Sequence, residues 1–128
     1  MSDPIALVVD DEPLILMDTA DIVASAGYHV IEARSADEAF ELLARYRSVK
    51  LLMTDVQMPG TMDGLALARY VSEHWPEVHV VVASGAVTPK DGELPQGARF
   101  LGKPLNQALV LETLQELETE ANPDRKAE

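Results

Sequence analysis

Asp10, Asp11 and Glu12 follow the apolar run IALVV, Asp55 follows LLMT, Ser84 follows VVVA, and Lys103 follows RFLG. If these runs are parallel strands, the four polar clusters meet at one edge of a single sheet. That edge is where open α/β sheets hold ligands, in the crevice outside the carboxyl ends of the strands. Carboxylates, a hydroxyl and an ammonium converging there describe a cation site beside a phosphoryl site.

The elements that must position these groups are legible as an alternation. β-Branched apolar runs at 5–9, 29–33, 51–54, 78–83 and 99–101 are separated by stretches of helical period, the pattern of a parallel βαβ sheet. Asp11-Glu12-Pro13 opens the first helix, with Ile15, Ile22, Val23 and Ala26 as its expected buried stripe and Gly27 as its stop. Ser35 and Glu38 form a capping-box pair ahead of Ala36, Ala39, Phe40 and Leu43. A third helix carries Gly64, Leu67, Ala68, Val71 and Trp75 and ends before Pro76. A last helix from Leu105 to about Ala121 carries Val110, Leu114 and Leu117. Between Ser84 and Phe100, Pro89, Gly92, Pro95 and Gly97 leave a fourth helix short or irregular. The first, third and fourth runs are the most apolar and belong at the sheet centre. With right-handed crossovers this predicts a doubly wound, flavodoxin-like α/β fold of five parallel strands in the order 2-1-3-4-5.

A chain of 128 residues holds one domain with a real core, expected over 1–121, followed by a polar tail at 122–128. Cysteine is absent, which removes disulfides and thiolate metal sites. A net charge of −12 speaks against nucleic-acid backbones and anionic membranes as partners. The first residues, MSDPIALVVDDE, lack a basic start and an apolar span, so a soluble cytoplasmic protein is expected.

Taken jointly, Asp10-Asp11, Asp55 with the MPG-TMDG stretch after it, Ser84, and the Phe100-to-Pro104 segment FLGKP resemble the receiver domain of two-component response regulators. The resemblance covers nearly the whole chain. It implies that Asp55 accepts a phosphoryl group from the phosphohistidine of a histidine kinase or phosphotransfer protein, with Mg2+ as cofactor. It further implies Asp11 as a metal ligand, Asp10 as a direct or water-mediated one, and the Gln57 carbonyl as another. Ser84 and Phe100 occupy the family's switch positions, and the Lys103-Pro104 peptide is expected to be cis. Two features depart from the family pattern: the loop 58–64 is one residue longer than usual, and the fourth helix is broken. His29, His74 and His79 show no ligand spacing, and Tyr70 and Trp75 read as helix packing.

The chemistry is intelligible without the family. Like charges about 4 Å apart repel by roughly 1–4 kcal/mol, so clustered carboxylates need a cation, and an all-oxygen set suits Mg2+. Asp55 would attack phosphorus in line once Lys103 and the metal neutralise the phosphoryl oxygens. The expectation is a stand-alone receiver that switches or shuttles phosphate to a protein partner and is not a turnover enzyme. Two alternatives stand beside it: an aspartyl-phosphate phosphohydrolase of haloacid dehalogenase-like type, whose Asp-x-Asp differs from Asp10-Asp11, and a receiver-like interaction module that is never phosphorylated.

Overall fold

Alternating apolar runs and helical stretches fold, in the computed structural model, as β1 (Ile5–Val9), α1 (Pro13–Ser25), β2 (His29–Ala33), α2 (Ala36–Arg45), β3 (Val49–Asp55), α3 (Gly64–His74), β4 (His79–Ser84), β5 (Arg99–Gly102) and α4 (Gln107–Ala121). The structure describes residues 4–46, 48–58, 62–85, 89–90 and 92–121. All strand pairs are parallel and the order is β2-β1-β3-β4-β5, as expected from the apolar ranking of the runs. The expected tail at 122–128 and part of the long loop, 59–61, lie outside the described residues.

Strand alternation divides the core into two faces. Leu7, Val9, Leu52, Val80 and Val82 pack with α2 and α3 through Ala39, Leu43, Leu67, Ala68 and Val71. Ala6, Val8, Leu51, Met53 and Val81 pack with α1 and α4 through Leu16, Val23, Val110, Leu114 and Leu117. Each such Leu or Val, buried from water, contributes about 1.5–3 kcal/mol.

Helix ends follow local chemistry. The Ser35 hydroxyl accepts from Glu38 N at 3.1 Å, as the capping box requires. Asp63 caps α3 by accepting from Ala66 N at 2.9 Å. Gly27 adopts φ 103° directly after α1, a conformation open to glycine.

The expected α1 stripe is corrected. The buried residues are Leu16, Thr19, Ala20 and Val23, whereas Ile15 and Ile22 are half-buried and Ala26 is exposed. Positions 13 to 17 are all apolar, so hydrophobicity alone could not phase this helix. Between β4 and β5 the described residues form turns and no helix, which places the expected last helix fourth in order. That connection is nevertheless held: Arg69 Nε on α3 donates to Glu93 O at 3.1 Å, and Leu94 and Ala98 pack on the α2–α3 face. Residues 86–88 and 91 of this stretch lie outside the described residues.

Gly64 brings α3 against the end of β3. Its N–H donates to Val56 O at 2.8 Å, and a side-chain carbon here would overlap the Asp55 carbonyl oxygen and lie 2.9 Å from Val56 Cα. Gly64→Ala should therefore destabilise the protein by about 2–3 kcal/mol in urea denaturation, the upper range for forced overpacking. A loss below about 0.5 kcal/mol, the usual bound for surface changes, would mean α3 can move off Asp55 freely.

Candidate functional site

The carboxyl ends of β1, β3, β4 and β5 deliver the polar residues to one place. Asp10 follows β1 directly and is only 3% exposed. Its backbone N–H bonds Ala33 O at 3.1 Å, its Oδ1 accepts from Glu12 N at 3.0 Å, and its Oδ2 accepts from Lys103 Nζ at 2.7 Å. Lys103 Nζ also lies 3.3 Å from Asp55 Oδ1, so one ammonium bridges two carboxylates carried by different strands.

Asp11 completes the cluster: one carboxylate oxygen from each of Asp10, Asp11 and Asp55 lies within 4.8 Å of the others. At that spacing each pair repels by on the order of 1 kcal/mol or more. Three carboxylates offset by one ammonium leave two negative charges, presented by oxygen donors alone. This donor set fits a hard divalent cation.

Ser84 ends β4 and is buried. Because Asp55 is in register with Ala83, Ser84 stands one residue beyond the Asp55 level on the neighbouring strand. Its carbonyl accepts from Lys103 N at 3.0 Å, which ties the serine and lysine backbones together. The Lys103-Pro104 peptide is cis. Gln57 is exposed two residues past Asp55. Phe100 does not reach this group: it is half-buried on the α2–α3 face, in register with Val82.

Of the histidines, His74 stacks on Tyr70 with ring centroids 3.9 Å apart, and Phe40 meets Tyr70 edge-on at 4.8 Å. The Phe40–Tyr70 contact joins α2 to α3, in keeping with the reading of Tyr70 as helix packing.

Two buried threonines at the site escaped the sequence reading. Thr19 of α1 lines a small cavity with Asp10, Asp55 and Lys103, and Thr54 bonds the Asp55 backbone. The available signal was a lone hydroxyl inside each apolar pattern, Thr54 in LLMTD and Thr19 at the i+3 position from Leu16. A larger cleft of about 690 Å³ opens beside them, between α1 (Ile15, Asp18, Ile22) and Lys103, Pro104 and Leu105.

Burial raises the Asp55 carboxyl above the ordinary carboxylate range, since it disfavours the charged form; the Lys103 charge opposes this and the Asp10 charge adds to it. Lys103 is also raised: burial pulls it down, but its bond to Asp10 and the two carboxylate charges outweigh that. A carboxyl that holds its proton more tightly folded than unfolded contributes stability that is present below the unfolded pKa and lost as pH rises through the folded one. Metal-free Asp55→Asn should accordingly be more stable than wild type near pH 7, and the gap should close on acidification toward about pH 4, where the unfolded carboxyl takes up its proton. Thermal melts across pH test this, and a gap that widens on acidification would reverse the assigned direction.

Comparison with known proteins identifies the family of the chain. The response regulator receiver domain matches residues 6–115. The nitrogen assimilation regulatory protein NtrX of Azorhizobium caulinodans is 37% identical over 118 residues, covering 88% of this chain but only 26% of that longer protein. The polar-differentiation response regulator DivK of Brucella ovis is 28% identical over 113 residues, covering 84% of this chain and 90% of DivK. The solved structure of a CheY-like response regulator receiver domain protein from Methanospirillum hungatei superposes with a TM-score of 0.84 at 26% identity, over 96% of this chain and 99% of that one. With the parallel sheet, the three-carboxylate cluster and the bridging lysine in place, the chain belongs to the response regulator receiver domain family of two-component signalling.

Proposed function

We propose that this chain takes a phosphoryl group onto Asp55 from the phosphohistidine of a histidine kinase or phosphotransfer protein, and then switches a protein partner or passes the phosphate on. The observation that carries the reading is the bridging of Asp10 and Asp55 by Lys103 inside a three-carboxylate cluster. The receiver-family match over residues 6–115 supports this reading over the phosphohydrolase alternative.

Asp10, Asp11, Asp55 and the Gln57 carbonyl would hold Mg2+, with Asp10 a direct or water-mediated ligand. When bound, Mg2+ supplies positive charge against the acceptor and phosphoryl oxygens. An Asp55 oxygen forms the new P–O bond in line while the P–N bond to the donor imidazole breaks and its electron pair returns to the ring nitrogen. Lys103 Nζ, within 3.3 Å of Asp55, meets the negative charge of the phosphoryl oxygens. The Ser84 hydroxyl donates to one of those oxygens, a bond that exists only after transfer and so reports it. Phe100, on the strand next to Ser84 and packed against the same core face as Leu94 and Ala98, carries the change to the β4–β5 connection. Because the acyl phosphate is the signal, the chain acts as a phosphoacceptor switch and not as a turnover enzyme.

Incubation with acetyl phosphate and Mg2+ should give one phosphoryl adduct by intact mass. Omitting Mg2+ or substituting Asp55→Asn should abolish it. An equal adduct in Asp55→Asn would remove Asp55 from the role.

Lys103→Ala separates metal binding from transfer. Removing an ammonium that sits between the carboxylates should tighten Mg2+ binding by roughly three- to tenfold, given about 1 kcal/mol of charge repulsion relieved. Phosphorylation should slow by about 10²-fold or more, the cost of losing one donor to developing charge. Calorimetric Mg2+ titration showing weaker binding in Lys103→Ala would contradict the bridging role.

A further inference from the structure

The Asp55–Val56 peptide unit is gripped at both ends, and each end has a separate function. Its N–H, on Val56, donates to Asp55 Oδ1 at 2.9 Å and, at the longer distance of 3.3 Å, to Ala83 O at the end of β4, so it ties the carboxylate to the backbone from within the sheet edge. Its C=O, on Asp55, accepts from the Thr54 hydroxyl at 2.9 Å. A peptide unit is planar and rigid, so a group that orients the carbonyl also orients the N–H opposite it.

The carbonyl has few other ways to be satisfied. Gly64 lies directly over it, and the Gly64 N–H is committed to Val56 O at 2.8 Å. Among the described residues the Thr54 hydroxyl is the donor that reaches it. Thr54 is 1% exposed, so water does not readily substitute. Strand alternation puts Thr54 on the α3 face with Leu52 and Val56, and Asp55 on the α1 face with Met53, so the hydroxyl acts from behind the site without touching the reacting atoms.

We infer that Thr54 is a positioning residue for phosphoryl transfer, holding the Asp55–Val56 peptide so that the Val56 N–H aims the Asp55 carboxylate. This inference rests on Asp55 being the acceptor, and adds a requirement that the acceptor reading alone does not contain. A misaimed nucleophile is slow even when the site is otherwise complete, because in-line attack tolerates little displacement.

The test compares Thr54→Val, close in shape and suited to a strand but without the hydroxyl, with Thr54→Ser, which keeps it. In Thr54→Val the rate of adduct formation from acetyl phosphate at saturating Mg2+ should fall by about tenfold, the scale of one lost hydrogen bond. The Val56 amide should exchange faster and its proton resonance should shift upfield as its bond to Asp55 Oδ1 weakens. Thr54→Ser should bring the rate and the Val56 amide back toward wild type. A purely structural role would lower melting temperature without this rescue pattern. Equal rates in Thr54→Val and wild type, or equal defects in the Val and Ser variants, would overturn the inference. If wild type forms no adduct, the acceptor reading has failed, and the Val56 amide still decides whether Thr54 controls this peptide. Should Thr54→Val not fold, Thr54→Ala and Thr54→Ser differ by the hydroxyl alone and read the same quantities.

Discussion

Everything at the sheet edge answers to one constraint: three carboxylates are held close enough to repel one another. Chain connectivity enforces this, because β1 and β3 are adjacent and in parallel register, so whatever follows Val9 is set beside whatever follows Thr54. The Lys103 ammonium relieves the crowding by sitting between Asp10 and Asp55 at 2.7 and 3.3 Å, while the Glu12 backbone N–H donates to the other Asp10 oxygen and the Val56 N–H to the same Asp55 oxygen that faces the lysine. These contacts offset part of the charge, and the two negative charges that remain are the electrostatic demand for a divalent cation. The mutual repulsion of these carboxylates and their fitness for a divalent cation are thus two aspects of the same arrangement.

The rest of the fold serves to keep that edge rigid. Most residues on β1, β3 and β4 are buried, the exceptions being Ile5, Lys50, Asp55 and His79 near the strand ends, so close packing resists sideways relaxation that would separate the carboxylates. The last helix and α1 close one face, while α2 and α3 close the other. Within this frame the two faces contribute differently. From the α1 side come Thr19 and the cavity beneath the carboxylates; from the α3 side come Gly64 and Thr54, which act on the Asp55 backbone.

What the sequence made legible follows from how each signal is encoded. Strand order came through because β1, β3 and β4 are apolar on both faces, whereas β2 and β5 face partly to water. Asp10, Asp11, Asp55, Ser84 and Lys103 were found because polar residues immediately after apolar runs are placed by topology alone. The phase of α1 was not legible: Pro13 through Met17 offers no polar face, and the burial of Thr19 together with Leu16 and Val23 decided it. Thr54 was hidden for a related reason. A threonine inside a strand is ordinary by propensity, and its importance lies in a hydrogen bond to the next residue's carbonyl that no spacing rule encodes. The connection between β4 and β5 was correctly read as poor in helix, but its attachment to α3 through Arg69 depends on tertiary proximity.

That attachment gives α3 a second bearing. Its first residue, Gly64, rests on the carbonyl of Asp55, and its sixth, Arg69, grips the Glu93 carbonyl, about 7.5 Å further along the helix axis at 1.5 Å per residue. A helix of this length behaves as a stiff beam, so its two loaded points cannot be displaced independently. Motion of the backbone at Asp55 is therefore also a load on the segment that ends in Leu94. The connection between β4 and β5, with its three glycines and two prolines, is thereby moored through Glu93 to the helix that rests on the backbone beside the carboxylate cluster.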